Sequence, residues 1–370
     1  MTATLRIVLD RSTSPADSDL AAAAVELARG LVATAPDDCE VEAIVPGGAA
    51  DDPTAAIPGL AGVSRLSLPR RELLAAWQLG MPAGVGGGLI HAPSLVAPLV
   101  RHDRVNDNDQ TVITLWDLDA WERPDELPRA HVLSHKALLK RAARFADAVV
   151  VPTHAAAEKL ASITRLGDRV RVIAGAPPED FRVPSDEIGR RRSLGLPEGF
   201  VLLAGSASAS SHLAAGFTAV VQAHADLPVV VVDAPEGAEP ALADLAAAAG
   251  LPEGRVHVRG NLDPWDRAAV LGGAVAFVAP AVSSAFPWRL IEALRLGVPV
   301  VASDSDVHRE VVAEGGLLAA PSGEALGEAL ASALESTSAV ERLGVLAGDR
   351  GRAFSWAGAA ERVWSLHADL

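Results

Sequence analysis

The feature that most constrains this 370-residue chain is a rhythm that runs twice. Short apolar runs alternate with longer amphipathic segments, the pattern of parallel strands covered by helices on both faces. In the first half, strands are expected at 5–9 (LRIVL), 39–46, 89–92 (LIHA), 111–117 (TVITLWD), 147–152 and 169–174. Helices are expected at 19–33, 129–146 and 155–163. The segment 175–199 (GAPPEDFRVPSDEIGRRRSLGLPEG) is rich in Pro, Gly and charge and reads as a linker. Alternation then restarts, with strands at 200–205, 228–233, 255–260, 274–279 and 298–303. Helices there fall at 212–224, 239–249, 264–272, 289–296, 306–313, 322–335 and 339–369. The expected fold is α/β, with two Rossmann-like, doubly wound domains in tandem. Ligands of such sheets bind at the carboxyl ends of the strands, and two such domains facing each other would make a cleft.

Composition excludes several classes. A single cysteine, Cys39, cannot form an intrachain disulfide framework and fits a reducing cytosol. No apolar run is long enough and uninterrupted enough to span a membrane. The start, MTATLRIVLDRS, runs into a strand without a basic-then-apolar leader, so no secretory signal is expected. A net charge of −15 argues against a nucleic-acid binder. The ten histidines are scattered without zinc-site spacing, so neither a metal nor another cofactor is expected. No Walker P-loop or Ser-His-Asp order is present.

One stretch carries chemistry. SSAFPWRLIEALRLGVPVVASD (283–304) reads as a loop, a helix and a buried strand, with Glu292 near the helix start and Ser284 eight residues before it. With its surroundings (260–321) it resembles the retaining glycosyltransferases of family 4, which have the GT-B fold. LIHAPSLVAPL (89–99), TVITLWDLDAW (111–121), RAARFADAVVVPTHAAAEKL (141–160) and RAFSWAGAAERV (352–363) extend the resemblance over nearly the whole chain. It implies an N-terminal, acceptor-side domain over 1–176 and a donor-side domain over 177–351. Residues 352–370 would form a helix crossing back to the first domain.

The resemblance implies that Glu292 holds the ribose of a nucleotide-sugar donor, since a carboxylate accepts from two adjacent hydroxyls. A carboxylate stabilised at a helix start is the plainer reading. Donor contacts would also come from Gly205, Ser206, Ser211, Ser284, Phe286 and Arg289. The motif is degenerate at several of these. Ser284 stands where the family has an acid, and Ser206 and Ser211 stand where it has an Arg and a Lys on the diphosphate. Ala285 and Pro287 replace glycines. The stretch 10–29 has no glycine, where the family often has a glycine-rich loop, and reads as a polar loop with a helix cap. Trp116 replaces a histidine beside Asp117 and could stack on a sugar. His91 matches a histidine common in the family, so His91, Asp117 and Ser284 are the catalytic candidates. Arg289, Arg259, His212, His308 and Arg309 are candidate replacement cations. Lys136, Lys140 and Arg144 recur at helical spacing and fit an acceptor phosphate, anionic lipid or a solvated face.

A charge-assisted hydrogen bond is worth roughly 1.5–3 kcal/mol, so two missing cations and one missing acid are a serious loss. Two readings stay open. One is a metal-independent transferase moving a sugar to a carbohydrate or lipid-linked acceptor in glycan or cell-envelope biosynthesis. It would be cytoplasmic, with contact at the inner face of the membrane. The other is an inactive relative, serving as partner subunit of an active glycosyltransferase or as a sugar- or nucleotide-binding regulator.

Overall fold

The computed structural model describes residues 3–10, 18–49, 52–224 and 226–370. The polar stretch 11–17, central to the expected loop and cap, lies outside them. The chain divides into two compact units. The first holds residues 1–179, 284–286 and 355–370, and the second holds 180–283 and 287–354.

The first unit is built on seven strands, all parallel: β1 (Ala3–Val8), β2 (Cys39–Gly47), β3 (Gly62–Pro69), β4 (Leu89–Ala92), β5 (Gln110–Thr114), β6 (Ala148–Val151) and β7 (Val170–Val172). Their order is β3-β2-β1-β4-β5-β6-β7. The second unit has six, also parallel: β8 (Phe200–Ala204), β9 (Val229–Val232), β10 (Val256–Val258), β11 (Ala274–Ala279), β12 (Val300–Ser303) and β13 (Leu317–Ala319). Their order is β10-β9-β8-β11-β12-β13. Strand order reverses direction between β1 and β4 and between β8 and β11. At such switch points the carboxyl ends of doubly wound sheets receive ligands.

Four inner strands, β5, β6, β9 and β12, are buried along their whole length. Apolar residues without alternation suit a sheet covered on both faces. Two strands were not expected from sequence. In β3, Ser64 and Arg65 interrupt the apolar run, which an edge strand tolerates because one side meets no neighbour. The other, β13, is only three residues long. The expected linker contains a helix, Glu187–Ser193, anchored by Arg191 on the Ala269 carbonyl. The expected closing helix 339–369 is two helices, Thr337–Gly351 and Trp356–Asp369.

Trp356–Asp369 belongs to the first unit and packs on the helix Ser18–Ala33. The indole of Trp364 donates to the Leu31 carbonyl at 3.1 Å. Gly30 makes the crossing close: a Cβ there would lie 2.8 Å from the Trp356 carbonyl oxygen. Replacing Gly in a helix by Ala ordinarily gains about 0.5–1 kcal/mol. Here the steric conflict dominates, and Gly30→Ala should destabilise the protein by about 1–3 kcal/mol. Urea unfolding curves of the two proteins check this.

On its buried face the helix Trp356–Asp369 carries His367, which pairs with the buried His91 of β4. His91 Nε2 meets Thr114 Oγ1 at 3.1 Å, and His367 Nδ1 meets Gln110 Oε1 at 2.9 Å. The rings stand edge to face, 5.7 Å apart. Neither His91 Nδ1 nor His367 Nε2 has a hydrogen-bond partner among the described residues. Burial lowers both pKa values, that of His367 to about 4 and that of His91 well below the usual range. In the unfolded chain both would titrate near the ordinary value of about 6.5. Between that value and about 4 the unfolded state therefore binds more protons, so stability rises with pH through this window. It is fully present above pH 6.5 and is lost on acidification. Denaturation midpoints across the window should show this slope, and His367→Gln should flatten it.

Candidate functional site

In the second unit, β8 ends at Ala204 and the chain turns at Gly205, whose φ of 131° lies where L side chains are strained. A Cβ at Gly205 would sit 2.9 Å from Ser211 Oγ. Ser206, Ser208, Ser210 and Ser211 close the turn with their own hydroxyls. Ser206 N donates to Ser211 Oγ at 3.2 Å, and Ser206 Oγ donates to Ser208 Oγ at 2.9 Å. Ser208 Oγ also meets those of Ser210 and Ser211, at 3.2 and 3.1 Å. This loop is polar and uncharged.

Glu292 and Arg289 lie on the helix Trp288–Arg295 at the i,i+3 spacing that puts both on one face. The Glu292 carboxylate is 3% exposed. It accepts from Arg267 Nε at 3.0 and 3.1 Å, from Arg267 Nη2 at 2.9 Å and from Arg289 Nη1 at 2.8 Å. Arg289 Nε donates in turn to Asp233 Oδ2 at 2.7 Å. Asp233 follows β9 in a left-handed conformation, φ 61°, and its buried Oδ1 has no hydrogen-bond partner among the described residues. Among those residues, two guanidiniums and two carboxylates thus form a neutral, largely buried chain. A carboxylate has about four acceptor sites, and the arginines occupy most of those of Glu292. A ribose diol could bind there only by displacing them. Arg289, expected as a replacement cation, is already balanced by Glu292 and Asp233.

Arg259, Arg309 and His308 are engaged as well. Arg259 Nε donates to the Leu194 carbonyl at 2.7 Å. Arg309 pairs with Asp304 and Asp306 at 2.5 and 2.8 Å. His308 is buried against the Ser303 carbonyl at 2.8 Å, and burial lowers its pKa. His212 holds a left-handed turn at the start of the helix Leu213–Gln222.

The remaining candidates lie in the first unit. Ser284 donates from Oγ and N to Glu122 Oε2, at 2.5 and 3.2 Å, so a carboxylate stands beside the position where the sequence resemblance leads one to expect an acid. Trp116 is buried, donates from Nε1 to the Pro93 carbonyl at 3.0 Å, and packs on Phe286 and Trp356. It offers no face to a sugar, and Phe286 is consumed in the same aromatic cluster. His91 is fully enclosed, which removes it from direct contact with a substrate. Asp117 does line a cavity of about 670 Å³. This cavity sits at the β1/β4 switch point, with Asp10 after β1 and Ser94 after β4 on its wall. Asp119, Arg123, His131, Ser134 and His135 complete a polar rim, the two imidazoles stacked 3.8 Å apart. Carboxylates, imidazoles and hydroxyls around a pocket of this size suit a polyhydroxylated ligand. Lys136 and Lys140 lie outside both this cavity and a second one that Arg144 lines.

Sequence reading missed Arg267, Asp233 and Glu122. Each meets its partner across a long stretch of chain: 25 residues for Arg267–Glu292, 56 for Asp233–Arg289 and 162 for Glu122–Ser284. No local pattern announces such contacts. Sequence reading also passed over His131 and His135, although their spacing of four on one helix was a signal that could have found them.

Comparison with known proteins agrees with this architecture. Over essentially full length the chain superposes on HepE from Anabaena in complex with UDP and glucose, with TM-score 0.72, 19% identity and 100% of each chain covered. It superposes also on sucrose-phosphate synthase from Thermosynechococcus elongatus, with TM-score 0.69, 19% identity, and 99% of this chain and 98% of that one covered. The fold is therefore of the GT-B type, two parallel-sheet Rossmann-like domains. Residues 210–347 match the family described as Glycosyl transferases group 1. A stretch of 117 residues is 31% identical to the phosphatidyl-myo-inositol mannosyltransferase of Mycobacterium leprae (strain TN), spanning 30% of this chain and about a third, 31%, of that protein.

Removing one partner from a buried charge pair leaves the other uncompensated, typically destabilising by about 3–5 kcal/mol. Glu292→Ala should show a loss of that order by denaturant unfolding, because it strands the buried Arg267 and leaves Arg289 with Asp233 alone. A carboxylate that only waited for ligand would instead be replaceable at little cost in stability.

Proposed function

We propose that this chain is a retaining, metal-independent glycosyltransferase of family 4 that uses a nucleotide-sugar donor. The carrying observation is the match of residues 210–347 to the group 1 transferases, a stretch that contains Ser211, Arg289 and Glu292. The donor would sit at the β8/β11 switch point of the second unit, beside the Gly205–Ser211 turn. The acceptor, a carbohydrate or lipid-linked glycan, would enter the 670 Å³ cavity of the first unit, with Asp117, Asp119 and His131 at its wall. A structural neighbour bound to UDP and glucose supports a nucleotide-sugar donor, and a relative named for mannosyl transfer to a phosphatidylinositol supports a lipid-linked acceptor. We place the work in the cytoplasm, with contact at the inner face of the membrane. No helix among the described residues is long and apolar enough to cross one. Turnover is tested by incubating the full chain with UDP-glucose and other nucleotide sugars and measuring nucleoside diphosphate release. No release with any donor, in the presence of carbohydrate and polyprenyl-linked acceptors, would count against catalysis.

The neutral Arg267–Glu292–Arg289–Asp233 chain favours a second reading, a non-catalytic binder or a partner subunit of an active transferase. A departing diphosphate is stabilised by fixed positive charge, and the loop Ser206–Ser211 supplies none. The two readings differ in phosphate affinity. If the site no longer stabilises phosphate, a nucleoside and its diphosphate should bind with similar strength, and Ser206→Arg with Ser211→Lys should favour the diphosphate. A native preference of about a thousandfold, roughly 4 kcal/mol, would instead restore the catalytic reading. Isothermal titration at low salt measures both.

A further inference from the structure

At the opposite end of the first sheet from Asp117 lies a cavity of about 790 Å³ that the proposed activity does not use. Its wall comes from the amino-terminal side of the strands. Arg101, His102 and Arg104 precede β5, Asp147 immediately precedes β6, and Arg169 and Arg171 flank the start of β7. Arg144 and Phe145 close the carboxyl end of the helix Arg129–Phe145.

Five guanidiniums therefore converge on one concavity in a chain whose net charge is −15. None of the five forms an ion pair among the described residues. Arg169 donates to the neutral carbonyls of Ala143, Ala146 and Leu166, at 2.8, 2.8 and 3.2 Å, and Arg171 to those of Asp168 and Val170. Such bonds fix the guanidiniums in place without cancelling their charge. The side chains of Arg101, Arg104 and Arg144 are exposed. Three aspartates, Asp147, Asp168 and Asp369, share the wall with the five arginines, and Asp147 is occupied by His102 Nε2 at 2.7 Å and the Thr111 amide at 2.8 Å. Holding like charges together in this way is unfavourable unless an anion is bound among them.

We propose that this cavity is a binding site for a soluble polyphosphorylated small molecule, recognised by Arg101, Arg104 and Arg144 over a base set by Arg169 and Arg171. Guanidiniums match phosphate oxygens with paired donors, and the volume lies in the small-ligand range of roughly 300–1,000 Å³. Several separated cations call for several phosphates. The site is distinct from the donor and acceptor sites and does not rest on their assignment.

The test uses inorganic tripolyphosphate as probe on the full chain, with sulfate as the single-anion comparison. Titration at low salt should show tripolyphosphate binding at least about tenfold tighter than sulfate, and it should raise the thermal midpoint. The triple charge reversal Arg101→Glu, Arg104→Glu, Arg144→Glu alters only exposed side chains, and its unliganded midpoint reports whether the fold is kept. Should it unfold, the single variant Arg104→Glu serves instead. The triple variant should bind at least about tenfold more weakly, and a single reversal should weaken binding measurably. Undiminished binding by the variants, equal affinity for sulfate, or no binding of tripolyphosphate would each overturn the proposal. So would binding to vesicles containing a phosphoinositide without binding to free tripolyphosphate, which would make the surface a lipid contact.

Discussion

A carboxylate almost out of reach of water must be neutralised where it stands, and at Glu292 two arginines from two helices do so. This requirement fixes more than one side chain. Arg267 ties the helix Pro264–Gly273 to the helix Trp288–Arg295, and Arg289 carries the network on to the end of β9 through Asp233. Hydrogen bonds between ionised partners are the strong ones, and the paired geometry of Arg267 gives direction as well as energy. The same bonds decide what the switch point of the second sheet can offer a ligand. An anion arriving there meets dipoles of serine hydroxyls and peptide groups, with the nearby positive charge already balanced. Chemistry at this place depends on whether a ligand can reopen the clamp.

The sequence motif that suggested a ribose carboxylate was therefore read correctly as a helix bearing Glu292 and Arg289, and incompletely as a site. Periodicity announced eleven of the thirteen strands, because an inner parallel strand must be apolar throughout. It failed at β3 and β13, where one strand is interrupted by polar residues at an edge and the other is very short. It also fused the last two helices, since amphipathic period alone does not mark the turn at Arg352–Ser355. The function of single residues was the least legible. Trp116 and His91 look alike in sequence to groups that meet a substrate, yet both are enclosed by side chains far along the chain. Burial is decided by tertiary packing, and the residues flanking them carry no sign of it. Asp117 differs because it stands just beyond the carboxyl end of β5, on the wall of the cavity at the β1/β4 switch point.

The surroundings of Ser284 are the clearest case of this limit. Reading Ser284 alone, one finds a hydroxyl and no charge. In the folded first unit, Glu122 brings a carboxylate to that hydroxyl, and Lys159 Nζ approaches the same carboxylate at 3.4 Å. A motif lists residue types along one segment, whereas a site is assembled from several.

The helix Trp356–Asp369 has a consequence for how the molecule is made. Its indole bond to Leu31 joins residues 333 apart, and its histidine meets Gln110 across 257. The strands of the first unit are translated early, but the face of Ser18–Ala33 that this helix covers stays uncovered until the second unit has been synthesised in full. During elongation the surface around Gly30 and Leu31 that Ala360 and Trp364 will cover stays open to solvent. Non-local closure of this kind slows folding and prolongs exposure of apolar surface. The second unit faces no such delay from this helix. The order of the chain thus imposes an order on maturation, in which the domain begun first is the one finished last.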